Sequence, residues 1–126
     1  AGDAVLCSVA ATIRDGLERA TSAPSAIGRL GGEEFGILLA GADAPAAGSL
    51  AETLREAVRS KPASFGGFHI PSTISIGVAV AGPDTNIDAL LARADEASYS
   101  SKHAGRDRVT VSTKFFERAE PIIRLR

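Results

Sequence analysis

The sequence predicts an α+β domain in which helices pack on an antiparallel-rich sheet. Three observations lead to this class. Stretches with a helical apolar stripe alternate along the chain with short strand-like stretches, and two Gly-Gly pairs mark hairpins. A later stretch alternates bulky and small apolar residues, as a buried strand does. The 126 residues suit one domain, and a hydrophobic content of 44% is enough for a core.

Charge and cysteine content exclude several classes of protein. The 14 basic and 15 acidic residues give a net charge of −1, which does not support a nucleic-acid or membrane-surface binder. Cys7 is the only cysteine, so an internal disulfide and a zinc-binding spacing are both excluded and a cytoplasmic location is expected. No apolar run approaches the roughly 20 residues of a membrane helix, and no signal peptide is visible.

The chain opens on a helical pattern. Asp3 is the predicted N-cap of this first helix, because its carboxylate can accept hydrogen bonds from the free amides of the first turn. A polar loop at 21–25 follows the helix. The predicted apolar stripe consists of Val5, Leu6, Val9, Ile13 and Leu17.

The next segment predicts a hairpin with strands at 26–30 and 35–39, joined by a Gly31-Gly32 turn. Glu33 and Glu34 follow this turn directly. Carboxylates beside a turn are ordinarily just solvated charges. The alternative is a metal site, because strand alternation turns one of the two toward the helix-covered face, where a carboxylate needs a cation. Magnesium prefers carboxylate and phosphate oxygens.

A second helix is predicted to begin at Asp43-Ala44-Pro45 and to end before Pro62. A hairpin at Gly66-Gly67 follows, and its second arm is predicted to run over 68–80 with a bend at Pro71. This arm has one bulky and one small face, which favours helices packed on one face of the strand.

Thr85 and Asp88 resemble a capping box at the start of a third helix, which is predicted to end near Gly105. A short strand is predicted at 109–111, so the domain is assigned to 1–111. Residues 112–126 form a C-terminal tail, either a terminal helix or the start of a linker. The predicted core face of the third helix consists of Ile87, Leu90, Leu91, Ala94 and Ser98.

Four segments of the chain carry a family resemblance. In order they are "GDAVL" at 2–6, "RLGGEEF" at 29–35, "STISIGVAV" at 72–80 and "ADEASYSSKHAGRDRV" at 94–109. Together they resemble the GGDEF family, the diguanylate cyclases. The resemblance implies a fold related to the palm of class III nucleotide cyclases and polymerases. It also implies condensation of two GTP into cyclic di-GMP at a homodimer interface, with Mg²⁺ or Mn²⁺ and a sensor or regulatory domain upstream.

The resemblance also implies roles for the hairpin residues. Glu33 takes the position of the metal-binding carboxylate, which also assists deprotonation of the attacking hydroxyl. Glu34 takes the neighbouring catalytic position and supports the loop. Gly31 and Gly32 shape the turn over the nucleotide.

Three further residues correspond to substrate-binding positions of the family. Asp3 corresponds to the carboxylate that binds guanine, and a plain helix cap is its structural alternative. Lys102 and Arg106 correspond to the cations that hold the GTP phosphates. Their alternative is that of ordinary basic residues near a helix C-terminus. With a net charge near zero, a few placed cations are the expected means of binding a triphosphate.

The sequence departs from the family pattern in several places. The family domain has an earlier strand whose aspartate binds both metals, and a sheet without that strand needs substitute packing. We therefore expect a chain beginning at Ala1 not to turn over GTP alone, and a non-catalytic GTP-binding or scaffolding module is the rival function. Ser22 and Ser25 stand where many members carry the arginine and aspartate of an inhibitory product site. Asp107 replaces an asparagine and is expected to weaken phosphate binding slightly, and Ser98 replaces a leucine.

Overall fold

The computed structural model describes residues 2–22, 24–82 and 85–112, together with the backbone of 122–125. None of the described helices is long and apolar enough to cross a membrane. The helices are α1 (Gly2–Ala20), α2 (Ala44–Ser60) and α3 (Ile87–His103). The strands are β1 (Ser25–Gly31), β2 (Glu34–Leu39), β3 (Ala63–Phe65), β4 (Phe68–Ile70), β5 (Ile76–Ala79), β6 (Val109–Val111) and β7 (Ile122–Leu125).

Five of these strands form the main sheet, in the order β1-β2-β7-β5-β6. The β1/β2, β2/β7 and β5/β7 pairs are antiparallel, and only the β5/β6 pair among them is parallel. Strands β3 and β4 form a separate hairpin. The predicted antiparallel-rich sheet with helices packed on it is therefore confirmed.

Strand β7 lies inside the segment that was predicted to be a tail. Its backbone pairs on both sides, so that Leu125 lies opposite Phe35 of β2 and opposite Ile76 of β5. A helix or linker is therefore the wrong prediction for 122–125, because β2 and β5 offer two facing rows of backbone groups that a strand can pair with. Residues 113–121 and 126 lie outside the described residues, and the domain boundary at 111 stays a prediction.

Helices cover both faces of β5, not one as predicted. Ile76 and Val78 belong to a core cluster with buried residues of α1 and α2. On the opposite face, Gly77 lies against α3, and all four residues of β5 are buried. The small side chains that were interpreted as an uncovered face instead allow the close approach of α3.

The predicted long arm at 68–80 is divided into two strands. Strand β4 pairs with β3, residues 71–75 form no strand, and β5 belongs to the main sheet. Pro71 accounts for the break, because proline lacks an N–H group for a ladder.

Asp43, at the predicted start of α2, is the N-cap of that helix and accepts from the amide of Ala46 at 2.9 Å. Both N-caps that the sequence predicted, for α1 and α3, are corrected. The N-cap of α3 is Asn86 and not Thr85, whose hydroxyl accepts from the amide of Gly82 at 3.2 Å. Asp3 lies within the first turn of α1, not at its N-cap position.

The core face of α3 also differs from the prediction. Ile87, predicted to be buried, is 54% exposed because it is the first residue of the helix and lies at its free end. Leu90, Ala94 and Ser98 are buried as predicted, and Leu91 packs against them while partly exposed.

Candidate functional site

A cleft of about 250 Å³ lies between the first half of α1, the start of β2 and the segment 72–75. Clefts that enclose drug-sized ligands measure roughly 300–1,000 Å³, so this one suits one end of a nucleotide. Its charged lining residues are Glu33 and Arg106. The remaining lining residues are Val5, Leu6, Val9, Phe35, Ser72, Thr73, Ile74 and Ser75.

The hairpin turn that presents Glu33 differs by one residue from the prediction. The turn residues are Gly32 and Glu33, because Gly31 pairs with Glu34 across a register shift after Arg29. Gly32 has φ +50°, in the left-handed region that favours glycine. The Arg29 Nε donates to the Gly32 carbonyl at 2.7 Å and so fixes the turn.

This register decides which glutamate faces the cleft. Glu33 is exposed at the tip of the turn and lines the cleft together with Phe35, two residues further along the strand. Glu34 is half-buried and is not among the lining residues. The prediction of opposite faces assumed that both glutamates lie on the strand, whereas Glu33 lies in the turn and β2 begins at Glu34. Of the two carboxylates, Glu33 is the one that lines the cleft beside α1.

Arg106 reaches the cleft from the loop that follows α3. This loop has an unusual backbone, with φ of +124° at Gly105, +60° at Arg106 and +45° at Asp107. The Arg106 amide donates to the carbonyl of Ser101 at 3.0 Å, which ties the loop back to the last turn of α3. The cleft therefore carries one negative and one positive side chain, supplied by elements far apart in sequence.

A group of ion pairs beside this loop could not be foreseen from the family pattern. Arg55 of α2 donates from Nη1 to Oδ1 of Asp107 at 2.8 Å, and its Nε donates to Glu52 at 2.9 Å. Hydrogen bonds to Glu52 and then to Asp107 raise the pKa of Arg55 above its ordinary value, because both carboxylates stabilise the charged guanidinium. The negative charge of Asp107 is thus compensated by α2. The sequence does contain one indication of these ion pairs, because the charges alternate in sign along α2 at Glu52, Arg55, Glu56 and Arg59.

The other predicted site residues lie outside the cleft lining. Asp3 is exposed in the first turn of α1, two residues before the lining residue Val5. Lys102 is half-buried in the last turn of α3. Gly31, at the end of β1, and Gly32, in the hairpin turn, are both exposed. The structure brings together Glu33 and Arg106, and the binding roles of all these residues stay predictions.

The described residues do not complete a two-metal site. They contain no group of three or more His, Cys, Asp or Glu side chains that could hold an ion. Two divalent ions about 3.5–4 Å apart need carboxylates that bridge them, and within the described ranges Glu33 is the one acidic side chain that lines the cleft. Glu33 is therefore one candidate ligand, and further ligands must come from outside the described residues or from another chain.

Comparison with known proteins gives one consistent group. The family described as "Diguanylate cyclase, GGDEF domain" matches residues 1–108. The chain is 42% identical over 113 residues to diguanylate cyclase A of Treponema denticola, covering 89% of this chain and 29% of that protein. It is 42% identical over 109 residues to diguanylate cyclase DgcM of Escherichia coli K12, covering 86% of this chain and 25% of that protein. The chain thus spans less than a third of either relative.

Solved structures show the same fold. The active GGEEF domain of a diguanylate cyclase from Vibrio cholerae superposes with a TM-score of 0.69 at 30% identity, over 90% of this chain and 69% of that one. The GGDEF domain of DgcB from Caulobacter crescentus, solved in complex with c-di-GMP, gives 0.70 at 29% identity, over 85% and 64%. These similarities confirm the predicted palm-related α+β fold.

Proposed function

Because this chain belongs to the GGDEF family of diguanylate cyclase domains, we propose that it is part of an enzyme that condenses two GTP into cyclic di-GMP. The observation that carries the proposal is the cleft beneath the GGEEF turn, which Glu33 and Arg106 line together. In each of two condensations, a ribose 3′-hydroxyl forms a bond to an α-phosphorus. The bond from that phosphorus to the departing pyrophosphate breaks, and the hydroxyl proton is released.

The two charged lining residues have different roles in this reaction. The Arg106 guanidinium can donate two parallel hydrogen bonds to phosphate oxygens and can stabilise the charge that builds up on them. Glu33, which also lines the cleft, is the candidate acceptor for the hydroxyl proton. The apolar side chains of Val5, Leu6 and Val9 limit the access of water to this end of the cleft.

The proposal includes a divalent ion and a second protomer. Mg²⁺ or Mn²⁺ would neutralise phosphate charge, with Glu33 among its ligands. Two copies of the domain, each holding one GTP, would face each other, because the two condensations are equivalent. A regulatory or sensor domain elsewhere in a longer protein would control this pairing. We propose a cytoplasmic location, in keeping with the exposed thiol of Cys7.

One observation favours a second candidate function, a catalytically inactive GTP-binding or scaffolding module. The described residues place a single acidic side chain in the cleft lining, which is too few to hold two divalent ions. Such a module would bind GTP through Arg106 without turning it over.

The test is product formation from GTP and Mg²⁺, followed by chromatography, with the wild-type protein and Glu33→Gln. We expect cyclic di-GMP from a longer wild-type protein that contains this domain, and a loss of about 10²–10³-fold when the same protein carries Glu33→Gln, the scale for removing one electrostatic contributor. Glu18→Gln, on the exposed surface of α1, is the matched control and should keep full activity. GTP binding without product would favour the module, and near-normal turnover by Glu33→Gln would remove Glu33 from the mechanism.

A further inference from the structure

The backbone of the loop that carries Arg106 is held in a conformation that side chains normally disfavour. Arg106 and Asp107 are the two non-glycine residues with positive φ in the described part of the chain, and they are adjacent. A residue with a Cβ adopts this region only when its surroundings compensate for the strain. Contacts with neighbouring residues therefore hold Arg106 and Asp107 in this conformation.

Two of these contacts are local. The Arg106 amide donates to the Ser101 carbonyl at 3.0 Å, and the Arg106 carbonyl accepts from Nε of Arg108 at 3.1 Å. They fix the backbone on both sides of Arg106. They do not restrain Asp107, whose own φ of +45° must also be maintained.

The contacts that restrain Asp107 come from α2. Arg59, with a side chain 58% exposed, places its Nε 3.7 Å from Oδ2 of Asp107, and Arg55 makes the shorter and less exposed contact. Arg55 of α2, with a side chain only 13% exposed, donates to Asp107 at 2.8 Å. Arg55 is itself oriented by Glu52, through Nε at 2.9 Å, and by Glu56 at 3.3 Å. A guanidinium held at several atoms is a rigid donor, so it fixes the position of the aspartate that it binds.

We propose that Arg55, acting through Asp107, is a positioning residue that holds Arg106 in the cleft. This inference rests on the proposed function for its readout of GTP binding. The Arg55 side chain does not line the cleft, so its effect on GTP is indirect. Loss of Arg55 would let the loop at 105–108 relax, and Arg106 would spend less time in the cleft lining.

The test is a double-mutant cycle on the affinity for GTP in the presence of Mg²⁺. Arg55→Gln should raise the dissociation constant by about three- to tenfold, the scale of one hydrogen bond between charged groups. In an Arg106→Ala background the same change should have almost no further effect. Arg55→Lys keeps the charge and should restore part of the affinity. Arg19→Gln is the matched control, because Arg19 also pairs with an aspartate, Asp15, but on the exposed surface of α1.

A second measurement needs no nucleotide. Amide hydrogen exchange should become about tenfold faster at Arg106 in the Arg55→Gln protein. The amide of Ala104, bonded to the Ser100 carbonyl at 2.9 Å, should keep its rate and reports that α3 is intact.

The outcomes separate the two proposals. The positioning role would be overturned if Arg55→Gln raised the dissociation constant for GTP by the same factor in the wild type and in the Arg106→Ala protein. Unchanged hydrogen exchange at the Arg106 amide would overturn it as well. A wild-type protein that binds no GTP, or GTP binding indifferent to Arg106→Ala, would count against the proposed function, and the exchange result would still decide the role of Arg55.

Discussion

Gly77 of β5 lies in direct backbone contact with Ser98 of α3. A Cβ atom on Gly77 would lie 2.1 Å from the amide nitrogen of Ser98 and 2.2 Å from the carbonyl oxygen of Ala94. Both distances are far below van der Waals contact, and both obstacles are backbone atoms. The sheet and α3 can therefore approach this closely only with glycine at position 77.

The first prediction concerns this contact. Gly77→Ala should lower the free energy of unfolding by about 3 kcal/mol or more, because α3 must move away from the sheet. Urea denaturation followed by circular dichroism measures the change. Gly28→Ala on β1 is the control, because a Cβ atom on Gly28 would meet nothing within 4 Å and the φ of this residue is ordinary. If both variants unfold at the same urea concentration, α3 does not pack on Gly77 in the way described.

The second prediction concerns the hydroxyl of Ser98. This side chain is fully buried, and its Oγ has no hydrogen-bond partner among the residues that the structure describes. Ser98→Ala removes a buried polar atom that gains nothing from its surroundings, so we expect stabilisation by about 1 kcal/mol. Thermal unfolding measures it as a higher midpoint. A clear loss of stability would mean that Ser98 has a partner, such as a buried water molecule.

The third prediction concerns Ser101, one turn further along α3. Its hydroxyl donates to the carbonyl of Ile76 at 2.9 Å and lies 2.6 Å from the hydroxyl of Thr110, so it joins α3 to both β5 and β6. Ser101→Ala leaves buried polar groups unpaired and should lower the free energy of unfolding by about 1–3 kcal/mol. Ser100→Ala is the control, because Ser100 is exposed and bonds only to its own helix. Equal effects of the two changes would contradict a special role for Ser101.

The fourth prediction concerns inhibition by product. Ser22 and Ser25 lack the guanidinium and carboxylate with which many relatives are expected to bind cyclic di-GMP at a second site. We expect calorimetric titration with cyclic di-GMP to show no tight binding that depends on these serines. Ser22→Arg with Ser25→Asp supplies both groups and should introduce such binding. Tight binding to the unchanged protein that disappears in Ser22→Ala would show the prediction to be wrong.

The sequence was informative wherever a local rule decided the structure. Helical periodicity predicted all three helices of the described chain, and Gly-Gly pairs predicted both hairpins. The first hairpin turn lies one residue later than predicted, because Gly31 pairs with Glu34 as part of the strand. Such pairing depends on strand register and not on composition. The N-cap of α3 was missed because Asn86 and Thr85 are both good caps, and only the backbone decides between them.

The sequence failed where distant segments meet. Strand β7 has only four residues, and nothing in them indicates that β2 and β5 will pair with them. Arg55 was missed for the same reason, since its partner Asp107 lies in a loop 52 positions away. Glu33 and Arg106 were found because a family resemblance, and not periodicity, connects such distant residues.

The position of β7 has a consequence for how fast the chain can fold. The strands that flank it, β2 and β5, are made long before it during synthesis, yet Phe35 must wait for Leu125 to complete its pairing. Pairings between residues so distant in sequence raise the contact order, and folding rates fall as contact order rises. While the ribosome is still adding residues 113–121, the helices and the first hairpin can form early, but the sheet cannot close. We therefore expect a slow step in which β7 enters the centre of a partly assembled sheet.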